Sequence, residues 1–103
     1  MNNTEIPIKI SDKAIKEAQK IFSSKNIPQE YGLRIAVKGM AGCGGASFII
    51  GFDTEESDDN VFYFESLKVL ISKKHYIYLI GQEVDFRNTN EERGFVFNKS
   101  IEL

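Results

Sequence analysis

With 103 residues, 42% of them hydrophobic and 27% charged, the chain is the size of one compact domain with one core, residues 1–103, and needs no metal or disulfide merely to fold. Lys and Arg number 13 against 15 Asp and Glu, a net charge of −2, so there is no positive excess to neutralise phosphates and nucleic acid is excluded as a partner. One cysteine cannot form an internal disulfide, and no apolar run approaches the roughly 18 residues of a membrane span.

The opening Met1-Asn2-Asn3-Thr4-Glu5 lacks the basic start and apolar run of a secretory leader, so a cytoplasmic location is expected. Ile6-Pro7-Ile8-Lys9-Ile10 alternates apolar with other residues and carries a proline, which suits a short edge strand. Ser11 can cap the next element. There Ala14, Ile15, Ala18, Ile21 and Phe22 recur at helical spacing with Lys13, Lys16, Glu17 and Lys20 between them, an amphipathic helix that stops near Ser23-Ser24 because Asn26 and Pro28 do not continue one.

The period then shortens to that of strands. Leu33, Ile35 and Val37 alternate with Arg34, Ala36 and Lys38, and a glycine-rich segment from Gly39 to Gly45 leads into Phe48, Ile50 and Phe52. Asp53 to Asn60 reads as an acidic, solvated loop that aids solubility, without the glycine and spaced oxygen ligands of a calcium loop. Val61 to Phe64, a turn at Glu65-Ser66, and Leu67, Val69 and Ile71 make two more strands. Ser72 is expected to cap a short helix from Lys73 to Ile80 closed by Gly81, although Tyr76, Ile77 and Tyr78 would suit a strand as well. Val84 and Phe86, then Phe95 and Phe97, form the last two strands around the polar turn Asn88 to Glu92.

The densest chemical signal is Gly39-Met40-Ala41-Gly42-Cys43-Gly44-Gly45-Ala46-Ser47, which sets the only thiol among glycines. Glycine permits positive φ and close approach of another group, and backbone N–H groups turned toward a sulfur stabilise a thiolate or the sulfides of a cluster. The plainer reading is a tight connection holding an inert small residue. The segment lacks the Lys-Ser/Thr ending of a phosphate loop, and Gly42, Gly44 and Gly45 lie between strands rather than opening a helix, so it is not a dinucleotide fingerprint. His75, the single histidine, could pair with Cys43 only formally; on a lysine-flanked helix start it reads as a solvated surface residue. Tyr76, Tyr78, Phe62 and Phe64 read as core or interface aromatics. No catalytic group is assigned, and an enzyme is not expected. A thiol enzyme or redox sensor would need a lowered thiol pKa, for which Lys38 is the nearest basic residue in sequence.

In order and spacing these segments resemble the A-type iron-sulfur carrier family, the HesB/IscA-like biogenesis domain. Ile8-Lys9-Ile10-Ser11 is similar to its opening, and Gly32-Leu33-Arg34-Ile35-Ala36-Val37 with Gly42-Cys43-Gly44-Gly45 to its Leu-Arg-Ile strand and first-cysteine loop. Tyr78-Leu79-Ile80-Gly81-Gln82-Glu83-Val84-Asp85-Phe86 resembles its Tyr-Leu-x-Gly-x-x-Ile-Asp-Tyr signature, and Gly94-Phe95-Val96-Phe97-Asn98 its Gly-Phe-x-Phe-x-Asn strand. The resemblance implies a mainly β fold with α+β character: two packed sheets forming a flattened barrel or sandwich, one N-terminal amphipathic helix and one short second helix. It also implies iron-sulfur cluster assembly and carriage, with Cys43 as metal ligand and Gly42, Gly44 and Gly45 shaping the cofactor site.

The implied partners are an iron-sulfur scaffold, apo-protein acceptors and a second copy in a homodimer, with no membrane. The sequence departs from the family in one respect: it ends Asn98-Lys99-Ser100-Ile101-Glu102-Leu103, where members carry Cys-Gly-Cys. Clusters generally take about four thiolates. With one cysteine per chain, a labile cluster or iron is held only with external or partner-chain ligands. The alternative is a degenerate interaction module of the biogenesis machinery that binds no metal.

Overall fold

The computed structural model describes residues 8–38 and 47–99. Nine elements run in the order β1 (Ile8–Ile10), α1 (Asp12–Ser24), β2 (Tyr31–Lys38), β3 (Ser47–Thr54), β4 (Asp59–Phe64), β5 (Leu67–Ser72), α2 (Tyr76–Leu79), β6 (Gln82–Asn88) and β7 (Arg93–Lys99). The strands make a three-stranded sheet in the order β1-β6-β7 and a four-stranded sheet in the order β3-β2-β5-β4. This is the mainly β, two-sheet, two-helix architecture expected from the sequence.

Alternation along each strand turns one set of side chains toward a shared core. In β2 these are Leu33, Ile35 and Val37, opposite Phe52, Ile50 and Phe48 of antiparallel β3. β5 adds Leu67, Val69 and Ile71, β4 adds Phe62, and the small sheet adds Ile8, Ile10, Val84 and Phe86. Ala14, Ile15 and Ala18 bring the apolar stripe of α1 into the same cluster. The lysines between them stay exposed, as helical spacing requires.

Helix α1 starts where β1 ends. The Ser11 hydroxyl accepts the Ala14 N–H at 3.1 Å and donates to Asp85 Oδ1 at 2.6 Å, while the Ser11 N–H donates to the Val84 carbonyl at 2.9 Å. One side chain thus closes the helix start and ties it to β6. The bond from Ser11, with a second from the Phe86 N–H, holds the Asp85 carboxyl below the usual aspartate range. Ser11→Ala is expected to lower stability by about 1–2 kcal/mol, the usual cost of a lost N-cap, and a urea unfolding midpoint indistinguishable from wild type would contradict it.

Two expectations need correction. Ser72 does not cap a helix over Lys73–Ile80: it ends β5, where its hydroxyl donates to Asp58 Oδ2 at 2.9 Å and accepts the Lys74 N–H at 3.3 Å. The cross-strand neighbourhood of β4 claims the serine first, and the helix is a single turn, Tyr76–Leu79, starting from His75 with no side-chain cap. Nor is Asp53 to Asn60 merely a solvated acidic loop. β3 extends to Thr54 and β4 begins at Asp59, and two of the carboxylates are structural, as described next.

Candidate functional site

Strands β2 and β3 form a ladder of eight register pairs from Tyr31↔Thr54 to Lys38↔Ser47. The segment 39–46 therefore connects two residues that are partners in one sheet. Phe48, next to the Ser47 end, stacks on Phe97 of β7 with ring centroids 5.1 Å apart, whereas Phe52, near the other end of β3, meets Phe22 late in α1 at 5.4 Å. These contacts orient the two sheets. The end of β2, the start of β3 and the end of β7 share one end of the fold, and β6 begins there too, since Gln82 pairs with Lys99.

The same hairpin is fixed at its far end by charge. Arg34 points away from the Leu33–Ile35–Val37 side of β2. Its Nε donates to Asp53 Oδ2 at 2.8 Å, and Nη1 and Nη2 donate to Asp59 Oδ1 and Oδ2 at 2.7 and 2.6 Å. Nη2 also donates to the Thr54 carbonyl at 3.1 Å. The guanidinium thus reaches from β2 past β5 to β4, over the face where Leu70, its register partner, is fully buried. The Asp59 side chain has no exposed surface and that of Arg34 is 18% exposed, so this is a desolvated, bidentate pair.

The Arg34 bond, and after it the Glu56 N–H, hold the Asp59 carboxyl below the usual aspartate range. The Asp53 carboxyl is also depressed, first by the Thr54 N–H and then by Arg34. Arg34 stays charged, chiefly through Asp59, against the opposing effect of burial. Sequence reasoning read Arg34 as an alternating strand position and as part of a Leu-Arg-Ile strand motif, and missed the network. The signal it had was a lone arginine in a strand otherwise rich in apolar residues, followed by an acidic stretch.

Cys43, Gly42, Gly44 and Gly45, the residues singled out in the sequence, lie outside the described residues. So do Ile6 and Pro7 of the first expected strand. His75 is described, and the surface reading of it needs correction: it is half-buried, and its Nδ1 is shielded from solvent without a hydrogen-bond partner. Its backbone is engaged on both sides, the N–H by Ser72 and the carbonyl by the Tyr78 N–H. Phe62 is in the core and Phe64 and Tyr76 pack against it, as expected, whereas Tyr78 is 45% exposed. Among the described residues no group of three or more His, Cys, Asp or Glu could hold a metal, and no helix is long and apolar enough to cross a membrane.

The fold is that of proteins from cluster biogenesis. SufA of Escherichia coli, described as involved in biosynthesis of iron-sulfur clusters, superposes with a TM-score of 0.74 at 22% identity, over 95% of this chain and 87% of that one. IscA solved with a [2Fe-2S] cluster superposes with a TM-score of 0.67 at 19% identity, over 89% and 81%. In sequence, the iron-binding protein IscA of Yersinia enterocolitica is 36% identical over 92 residues, 88% of this chain and 83% of that one. The model of the iron-sulphur cluster biosynthesis family matches residues 6–101, and the chain belongs to that family.

Proposed function

We propose that this protein is an iron-sulfur carrier: it binds iron or a labile cluster through Cys43 and passes it to apo-proteins, as one domain spanning residues 1–103. The observation that supports this reading is that Lys38 and Ser47, the residues that flank positions 39–46, are partners in one ladder, with Phe48 of β3 stacked on Phe97 of β7. A ladder fixes both approaches to the segment that contains the only cysteine of the 103 residues. Family membership and an iron-binding relative at 36% identity supply the chemistry.

Cys43 would be the protein's thiolate ligand to the cargo, with Gly42, Gly44 and Gly45 leaving backbone N–H groups free to face sulfur. One thiolate per chain is fewer than a cluster's usual four or so, and the shortfall is met by a second copy in a homodimer, a small thiol or a cysteine of the exchanging protein. Few bonds to the cargo favour exchange over storage. The partners are accordingly a cluster scaffold and apo-protein acceptors in the cytoplasm, and the protein carries rather than catalyses.

Anaerobic reconstitution with iron, sulfide and a small thiol tests this. Wild type is expected to retain iron and sulfide with visible charge-transfer absorption, and Cys43→Ser to retain at least about tenfold less. Equal retention by both would remove Cys43 from the site. The single cysteine also favours a second reading, an interaction module that binds no metal. In that case neither protein would take up iron, while a cluster-loaded scaffold would still bind the wild type.

A further inference from the structure

In the four-stranded sheet β3 is an edge strand: β2 pairs with one side of it, and among the described residues no backbone hydrogen bond reaches the other. At eight residues it is the longest edge strand among the described residues, and its ladder with β2 runs from end to end without a bulge. Ser47 to Phe52 holds no charge and no proline. The other edges are better protected: β1 has three residues, β4 opens on the Asp59 of the Arg34 pair, and β7 begins with Arg93 and ends with Lys99. An unprotected edge is a template for a further strand.

The side chains of this edge specify which strand. Phe48, Ile50 and Phe52 turn to the core, so Ser47, Ile49, Gly51 and Asp53 turn outward. Ile49 is 45% exposed, whereas Gly51, two positions on, leaves a hollow of about 160 Å³ bounded by Arg34, Ala36, Ile49 and Asp53, with no atom within 4 Å of where a Cβ would stand. Antiparallel pairing with a second copy about a two-fold axis at Ile50 sets Ile49 of each copy opposite Gly51 of the other, so the projecting side chain covers the gap twice. A two-fold axis at Gly51 would instead set hollow against hollow and Ile49 against Asp53. With the axis at Ile50, Ser47 faces the second copy's Asp53, whose side chain is 47% exposed. Lys38, the ladder partner of Ser47, is exposed and forms no ion pair among the described residues, and it comes two strands from that carboxylate.

We propose that β3 is a homodimer interface, formed by antiparallel pairing of two copies about Ile50, which joins their four-stranded sheets into one. Backbone hydrogen bonds supply the part of the affinity that any extended strand could claim. The fit of Ile49 to Gly51, made twice, and the placing of Lys38 near Asp53 select a second copy over a foreign peptide. The interface is built from β2 and β3 alone and stands whether or not Cys43 carries cargo. Under the carrier reading, it says where the second copy invoked there would attach.

Sedimentation equilibrium of metal-free Cys43→Ser protein, in which neither a cluster nor a disulfide can link two copies, tests this. A monomer–dimer equilibrium is expected within the range of about 1 to 300 µM. The open space at Gly51 admits a side chain in the monomer, so adding Gly51→Val is expected to keep the melting temperature while weakening the dimer at least about tenfold. Ile49→Lys, which puts a charge on the edge, is expected to weaken it to a similar degree. In a sample mixed from labelled and unlabelled copies, nuclear Overhauser effects are expected between the Ile49 methyls of one copy and the Gly51 α-protons of the other. A monomer throughout the range, a Gly51→Val dimer as tight as its parent, intermolecular contacts at another element, or tighter binding of an unrelated Val-Thr strand peptide than of a second copy would each overturn the proposal. Iron retention is read separately, on protein with Cys43 intact. Its failure while the dimer persists removes the carrier reading and leaves the interface.

Discussion

Replacing Asp59 by alanine is expected to lower the free energy of unfolding by about 3 kcal/mol at neutral pH, because removing one partner of a desolvated ion pair strands the other. Arg34 would keep Asp53 and the Thr54 carbonyl, which holds the loss toward the lower end of the range for such pairs. The Glu56 N–H would lose its acceptor as well. For a domain of this size total stability is of the order of 5–15 kcal/mol, so the variant should melt about 12–20 °C lower.

The pH dependence follows from the same carboxylates. Asp53, Asp59 and Asp85 all have folded-state pKa values below the ordinary value. Their contribution is therefore complete above the unfolded pKa of about 3.9 and is lost as pH falls through the lower folded values, since the unfolded chain takes up protons first. Wild type should lose stability steeply below about pH 4, and Asp59→Ala, with one fewer such group, should show a shallower decline from a lower plateau. Parallel curves for the two proteins in acid denaturation would show that Asp59 does not titrate as the geometry requires.

The second large effect is at Leu79. It is the one buried residue of α2 and fully enclosed, so Leu79→Ala removes both its transfer energy and the packing that seats the helix, at a cost of about 3 kcal/mol. The turn has no side-chain cap, and Leu79 is its one fully buried anchor beside the half-buried Tyr76. Amide exchange across Tyr76–Gly81 should rise more than in β2 or β5, and the melting temperature should fall with it. Uniformly faster exchange, or none, would mean that α2 is held by something other than Leu79.

How far the sequence could be read depended on whether a feature was local. The α1 stripe, its Ser11 cap, the inward sets Leu33-Ile35-Val37 and Leu67-Val69-Ile71, and the turns at Glu65-Ser66 and Asn88–Glu92 follow from spacing and turn chemistry within a few residues. Strand partnership does not. Nothing near Leu33 in sequence indicates that β2 runs parallel to β5, and that pairing is what aligns Arg34 with Leu70 and brings Asp59 within its reach. The misreading of the acidic stretch has the same origin, because the value of a carboxylate depends on a cation 19 or 25 residues away. Ser72 was open to two bonding partners, and tertiary register decided between them. The Cys43 segment was legible as composition and as a resemblance, and the fold contributes its two flanking strands.

The parallel pairing of β1 with β6 joins Ile8–Ile10 to Gln82–Val84, more than seventy positions apart along the chain. Closing so long a loop is entropically unfavourable until other contacts have formed, so the three-stranded sheet should be a late event in folding. During synthesis the first strand waits for nearly the entire polypeptide to leave the ribosome, with the apolar stripe of α1 uncovered on its β6 side meanwhile. A released fragment ending before residue 82 would thus leave that apolar stripe uncovered on its β6 side, although it holds every strand of the four-stranded sheet.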